Sequence, residues 1–143
     1  MKVHISVKNK PLEGYLNLDY NSIDQLVDKV DDAEALEILV EDMINYIPLN
    51  EMAQFLKILV SKLRHSGILK ITGTDAYEIA RSYVNGIISI KDLNDLLYSG
   101  NDVTKTCAVT LHDLAGSFQE KSEFRILKKR LHNCNFCLEV QRL

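Results

Sequence analysis

The 143-residue sequence predicts an α/β chain whose sheet is mostly parallel and closes with a C-terminal antiparallel hairpin. Three observations carry that prediction. Short apolar runs alternate with amphipathic segments, the order that builds parallel strands joined by helices. The run Leu36-Glu37-Ile38-Leu39-Val40 stops at Glu41-Asp42, which suits a buried parallel strand ended by acids. Two late apolar runs, Phe124–Leu131 and Phe136–Val140, flank His132-Asn133 as the arms of a hairpin flank its turn.

The elements follow in chain order. Val3-His4-Ile5-Ser6-Val7 and Tyr15-Leu16-Asn17-Leu18 read as two strands joined by a polar turn, the second ending on Asp19. Asn21-Ser22 can cap a short helix over about 22 to 30, where Ile23, Leu26, Val27 and Val30 keep helical spacing. After the Leu36–Val40 strand, Pro48 holds Ile47 out of the helical region and turns the chain. Asn50 is placed to cap the clearest helix, about 51 to 65, with Phe55, Leu56, Leu59, Val60 and Leu63 as its apolar stripe and Ser66-Gly67 as its stop. Ile68–Ile71 is a strand, and Asp75 caps a helix over 76 to 84 that Asn85-Gly86 ends. A helix over 90 to 98 carries Leu93, Leu96 and Leu97. A loop from Ser99 to Thr106 precedes a helix starting near Thr110, with Leu111, Leu114 and Phe118 on one side.

Composition narrows the function classes. At 46% hydrophobic and 26% charged, residues 1–143 suit a single folded domain with one core. A net charge of −3, with no cluster of aromatic and basic residues, gives no nucleic-acid surface. No apolar run reaches the roughly 20 residues that span a bilayer, and the N-terminus has no signal-peptide core. The expected setting is the cytoplasm, or the host's cytoplasm for a viral protein, without a membrane partner. Three cysteines fit a reducing compartment. Cys134 and Cys137 have CxxC spacing but sit in a strand-like run, where side chains three apart face opposite ways. Lys128-Lys129-Arg130 reads as a solvated strand or turn ahead of a phosphate patch. His4 alternates with apolar neighbours as a satisfied strand histidine would, and no P-loop or Ser/His/Asp order occurs.

Several stretches also match a known pattern. Lys2–Lys8 followed by Gly14-Tyr15-Leu16-Asn17-Leu18-Asp19 stands where a family pattern reads K-L-N-L/I-G-C-G and then G-W-I-N-V-D. Glu37–Pro48 stands where it reads E-I-x-x-x-x-V-L-E-H-I-P, and Leu63–Ile71 where it reads L-K/R-P-G-G-x-L-x-I. Asp75 and the closing hairpin with Arg142 add to the match, which covers most of the chain. The chain thus resembles the short class I S-adenosylmethionine-dependent methyltransferases. That resemblance implies a reduced Rossmann-like methyltransferase fold, S-adenosylmethionine as cofactor, methyl transfer to an unknown acceptor, and a cofactor crevice bordered by Ser6, Val7, Lys8, Asp19, Glu41, Asp42 and Tyr46. Asp19 matches the carboxylate that holds the ribose hydroxyls, though the same residue can simply cap its strand. Tyr46 can cover an adenine or sit in the core. Glu41 and Asp42 are adjacent and need not face one site.

The departures bear on activity. The loop glycines are replaced by Ser6, Val7 and Lys8, where glycine would allow positive φ and bring backbone N–H groups to the cofactor's carboxypropyl end. Val7 is β-branched and stiff for such a turn. The pattern's Glu-His pair is Asn45-Tyr46, and its third strand has no counterpart between Asp19 and Leu36. Two readings follow: a small methyltransferase with altered loop contacts, or an inactive fold kept as a binding, scaffold or assembly module, in a homo-oligomer or a larger (for example phage) assembly. A third, a different nucleotide-linked enzyme in the same crevice, has no residue of its own in the sequence to support it.

Overall fold

A computed structural model of the chain describes residues 1–8, 10–19, 22–99 and 104–143. Among these, six strands form one sheet: β1 (Lys2–Ser6), β2 (Leu16–Leu18), β3 (Ala35–Glu41), β4 (Leu63–Thr74), β5 (Phe124–His132) and β6 (Asn135–Arg142). Their order is β2-β1-β3-β4-β6-β5. The first four run parallel, and β6 and β5 pair antiparallel beyond β4, as the sequence predicts. Five helices accompany them: α1 (Ser22–Lys29), α2 (Leu49–Lys62), α3 (Ala76–Val84), α4 (Ile90–Tyr98) and α5 (Leu111–Gln119). The expected cap residue Asn21 lies outside the described residues, as does the middle of the 99–106 loop.

Burial explains why these segments take these forms. In β1 every residue after Lys2 is buried, because β2 and β3 flank it on both edges. The α2 stripe buries Met52, Phe55 and Leu59, with Leu26 of α1 packed into the same core. Helix α5 presses Leu114, Ala115 and Phe118 toward β5 and β6, and Phe118 meets Phe124 edge to face at 5.6 Å. Strand β5 is one of the sheet's two edges, and its Lys129 and Arg130 are solvated there, which blunts edge-to-edge pairing.

The ends of α2 differ from expectation. Pro48 occupies its N-cap position and accepts the Glu51 N–H through its carbonyl, so Asn50 lies inside the helix. At the other end α2 stops at Lys62. Leu63 turns extended, pairs with Ala35 and is fully buried, since the sheet gains more from that side chain than the helix would. Arg142 donates to the carbonyls of Leu63 (2.6 Å) and Val60 (3.4 Å), meeting the helix's last acceptors. Gly67 is not a helix stop. It lies in the irregular start of β4, where a Cβ would meet the Arg64 and Ala35 carbonyl oxygens at 2.8 and 2.9 Å.

Asp75 follows β4 and does more than cap one helix. Its carboxylate accepts from Glu78 N–H of α3 (2.9 Å) and from Leu111 N–H of α5 (2.6 Å). Two helices therefore start from one buried side chain at the carboxyl end of the sheet.

Candidate functional site

The carboxyl ends of the four parallel strands share one edge of the sheet, the place where open α/β sheets hold ligands. Ser6 ends β1, Asp19 follows β2, Glu41 ends β3 and Thr74 ends β4. Among the described residues, two cavities line this edge. One, of about 450 Å³, lies between the loop after β1, the end of β2 and helix α1; Ser6, Lys8, Lys10, Asp19, Gln25 and Lys29 are among its walls. The other, of about 400 Å³, lies over β3 and β4 and includes Asp42, Asn45, Tyr46, Thr74 and Lys105. Val7 and Lys8 line both and form the ridge between them. A cavity of about 550 Å³ near Leu111 and Leu131 shares no wall with either.

The ridge is built from local chemistry. Ser6 Oγ accepts the Lys8 N–H at 3.1 Å, a serine turn that takes up the loop's own donor. Val7 packs against the core. Lys8 Nζ donates to Asp42 Oδ2 at 2.8 Å, so an ion pair crosses from the end of β1 to the end of β3. That hydrogen bond, and then the Asp42 charge, holds the Lys8 ammonium above the usual lysine range. Asp42 itself has φ of +50°, accepts from Thr72 Oγ1 at 3.3 Å and donates its N–H to the same oxygen at 3.0 Å.

The two adjacent acids diverge. Glu41 meets His4 Nε2 at 2.8 Å, and His4 lines the first cavity, whereas Asp42 lines the second. Glu41 is the last residue of β3 and Asp42 follows it with a φ of +50°, so the two side chains leave the strand end in different directions. His4 is buried, with Asn17 Oδ1 on its other nitrogen at 2.8 Å. The amide of Asn17 donates to the Leu12 and Tyr15 carbonyls and its oxygen accepts the Leu12 N–H, so that oxygen draws its hydrogen from His4 Nδ1. The histidine is thus a cross-strand tie among β2, β1 and β3.

Of the residues that the resemblance implies, Ser6, Val7, Lys8 and Asp19 come together on the first cavity, and Asp42 and Tyr46 face the second. Tyr46 is only 4% exposed, a core residue with an edge on the cavity. Asn45 has a structural task. Its side chain accepts from Thr74 N–H (3.0 Å) and donates to the Cys107 carbonyl (3.2 Å), tying the loop before α5 to the end of β4. Sequence reasoning missed Lys105, which is half-buried beside Asp42 and Lys8 and donates to the Leu96 carbonyl at 3.1 Å; burial lowers its ammonium below the lysine range. No local pattern marks it. Gln25 and Lys29 were missed as well, although their spacing of four on α1 puts them on one helix face.

Sheet order, strand directions and the position of the crevice define a class I S-adenosylmethionine-dependent methyltransferase-like fold in reduced form. Solved structures agree. The chain is similar to a SAM-dependent methyltransferase from Archaeoglobus fulgidus at 10% identity and a TM-score of 0.60, covering 96% of this chain and 74% of that one. A SAM-dependent methyltransferase from Methanosarcina mazei matches at 10% identity and 0.52, over 99% and 82%. Magnesium protoporphyrin IX methyltransferase from Synechocystis, solved with bound SAH, matches at 11% identity and 0.54; this chain spans about half of it, 51%. No protein-family model and no curated protein matches the sequence. Among the described residues, no helix is long and apolar enough to cross a membrane, and no group of His, Cys, Asp and Glu could hold a metal ion. Cys134 sits in the hairpin turn and Cys137 in β6, both as free thiols.

Proposed function

We propose that the chain is a methyltransferase-fold binding module that does not carry out methyl transfer. The observation that carries this reading is the ridge between the two cavities, where Lys8 meets Asp42 at 2.8 Å and Ser6 takes the loop's N–H. The amino-acid end of S-adenosylmethionine needs free backbone donors at that point, and among the described residues of this loop the Lys8 N–H goes to Ser6 Oγ and the Lys10 N–H to the Lys8 carbonyl. Displacing the ion pair alone would cost little, because both partners are about two-fifths exposed, 44% and 41%, and such pairs contribute roughly 0–1 kcal/mol. The missing donors weigh more. Two hydrogen bonds to a carboxylate contribute roughly 1.5–3 kcal/mol each, so their loss would move a ligand bound at about 1 µM to roughly 0.15–20 mM. The module's partner would be a different ligand, a second copy of the chain or a larger assembly.

A working methyltransferase with an unknown acceptor is the second reading. Asp19 on the wall of the first cavity, with a second cavity adjoining, favours it. Titration calorimetry with S-adenosylmethionine and its demethylated product separates the two. The binding-module reading expects no saturable heat below roughly 1 mM. A dissociation constant of about 100 µM or tighter, lost in Asp19→Ala, would overturn it and restore the enzyme.

A further inference from the structure

Away from the crevice, exposed apolar side chains gather on α3 and the turn that follows it. Ile79 is the buried face of α3. Tyr77 and Val84, a multiple of the helical repeat apart and so on one face, lie across the helix from it and are 64% and 80% exposed. Ile87 of the turn and Ile90, the first residue of α4, are 74% and 58% exposed. Gly86, with φ of +72°, makes the turn, and the Ile87 N–H donates to the Ser82 carbonyl at 2.8 Å, so Val84 and Ile87 sit on a tip of fixed shape. At the other end of the same face, Tyr77 is a wall of the 550 Å³ cavity that Leu111 and Leu131 also line. Among the described residues no side chain of α4 is buried, so the hairpin closes little of its apolar surface against the body of the chain.

We infer that this face joins two copies of the chain about a two-fold axis, with the α3 helices crossing antiparallel and the tip of each copy seated at the cavity of the other. Such a dimer supplies a partner for the binding-module reading above and rests on that reading for its role. Shape and area both favour a second copy. Val84 and Tyr77 are about 10 Å apart along α3, at 1.5 Å per residue. An axis through the middle of that span, at Ala80 and Arg81, brings each tip onto the other cavity at once, as an isologous interface requires. A fully exposed tyrosine presents about 200 Å², and an aliphatic side chain about 100–130 Å². Tyr77, Val84, Ile87, Ile90 and Leu131, the last 47% exposed, then offer roughly 400 Å² of apolar surface. One partner of a standard interface gives about 800 Å², of which roughly 57–65% is apolar, or about 450–520 Å². The face meets most of that requirement. Charge does not oppose the contact, because Arg81 at the axis is paired with Glu78 of its own helix at 3.0 Å.

Sedimentation equilibrium on the full chain, from about 1 to 200 µM, tests this; a dimer should form with a dissociation constant below about 50 µM. Val84→Glu with Ile87→Glu, both solvent-facing in one copy, should weaken it at least about tenfold with an unchanged far-ultraviolet circular-dichroism spectrum. Leu131→Glu, at the cavity alone, should weaken it by a similar factor, whereas Leu49→Glu, 73% exposed at the start of α2, should leave it intact. A chain monomeric at about 200 µM, a dimer indifferent to the tip substitutions, or one that Leu49→Glu breaks as readily would overturn the proposal. A dimer broken at the tip but indifferent to Leu131→Glu would overturn the seating of tip in cavity. Species that keep growing with concentration would overturn the two-fold axis, since tip-to-cavity contacts that do not close make open chains. No S-adenosylmethionine enters this test, so a failed dimer is distinct from a failure of the binding-module reading, which calorimetry decides.

Discussion

Asp75→Ala should be among the most damaging single substitutions that leave the hydrophobic core untouched. The residue is 2% exposed, and its two carboxylate oxygens accept from Glu78 N–H at 2.9 Å and Leu111 N–H at 2.6 Å. Its own N–H donates to the Cys134 carbonyl, so the backbone stays in place when the side chain is cut. Each bond to a carboxylate contributes roughly 1.5–3 kcal/mol, and an N-cap deletion alone costs about 1 kcal/mol. Two buried N–H groups would lose their acceptor together. The expected cost is roughly 3–5 kcal/mol, a large share of a total stability of about 5–15 kcal/mol. Thr110→Ala is the control. Thr110 also caps α5, accepting the Asp113 N–H at 3.1 Å, but at the surface and for one helix only, and should cost about 1 kcal/mol. Urea unfolding followed by circular dichroism measures both. Asp75→Asn, which keeps one acceptor, should fall between them. If Asp75→Ala costs no more than Thr110→Ala, the double cap is not what holds α3 and α5 to the sheet.

Two further substitutions probe the site's framework. Gly73→Ala places a Cβ 2.7 Å from Ile44 Cγ2 and 2.8 Å from Asn45 Oδ1, and should cost roughly 1–3 kcal/mol in urea unfolding. Gly116→Ala in α5 meets nothing within 4 Å and should stabilise by up to about 1 kcal/mol; equal effects of the two would refute the close approach at Gly73. Lys8→Ala tests the ridge through pH. Asp42 raises the Lys8 ammonium above its ordinary 10.5, so the pair's contribution is fully present below that value and fades as pH rises through the folded-state value. At this exposure, the difference between wild type and Lys8→Ala should stay at about 0–1 kcal/mol from neutral pH to about 10 and vanish above it. A difference that grows with alkaline pH would refute the pairing.

Periodicity made much of the fold legible, because α2, α5, β4 and β6 bury apolar residues at regular spacing. Val3, Ile5, Ile38 and Val40 are fully buried, as apolar residues of strands flanked on both edges should be. Where the reading slipped, a long-range contact outweighed a local signal. Leu63 fits the helical stripe of α2, but its pairing with Ala35 across the sheet takes it into β4, and no local rule announces that partner. The site was legible in position more than in content. Ser6, Val7, Lys8 and Asp19 do meet in one place, since parallel strands deliver their ends to one edge. That Glu41 turns to His4 instead depends on the register Ser6↔Glu41, which the sequence does not display. Lys105 reaches the second cavity from far along the chain and carried no pattern at all.

The connection between β1 and β2 explains why a crevice on this fold would turn to side-chain chemistry. In a dinucleotide-binding βαβ unit the first strand runs through a glycine loop into a helix, and the helix N-terminus presents N–H groups and a positive dipole end to the ligand's phosphates. Here β1 passes to β2 through residues 7–15 alone, fewer than a parallel crossover normally needs, and none of the described residues among them is helical. Among the described residues of this loop no helix begins, and the one N–H that Ser6 takes is no longer on offer. The charged side chains that the described residues place on the cavity's rim are Lys8, Lys10, Lys29 and Asp19. The loop that stands where the glycine cradle would be is also the one that supplies Lys8 and Lys10, so the change in loop chemistry replaces backbone donors with ammonium groups, one of them paired with Asp42.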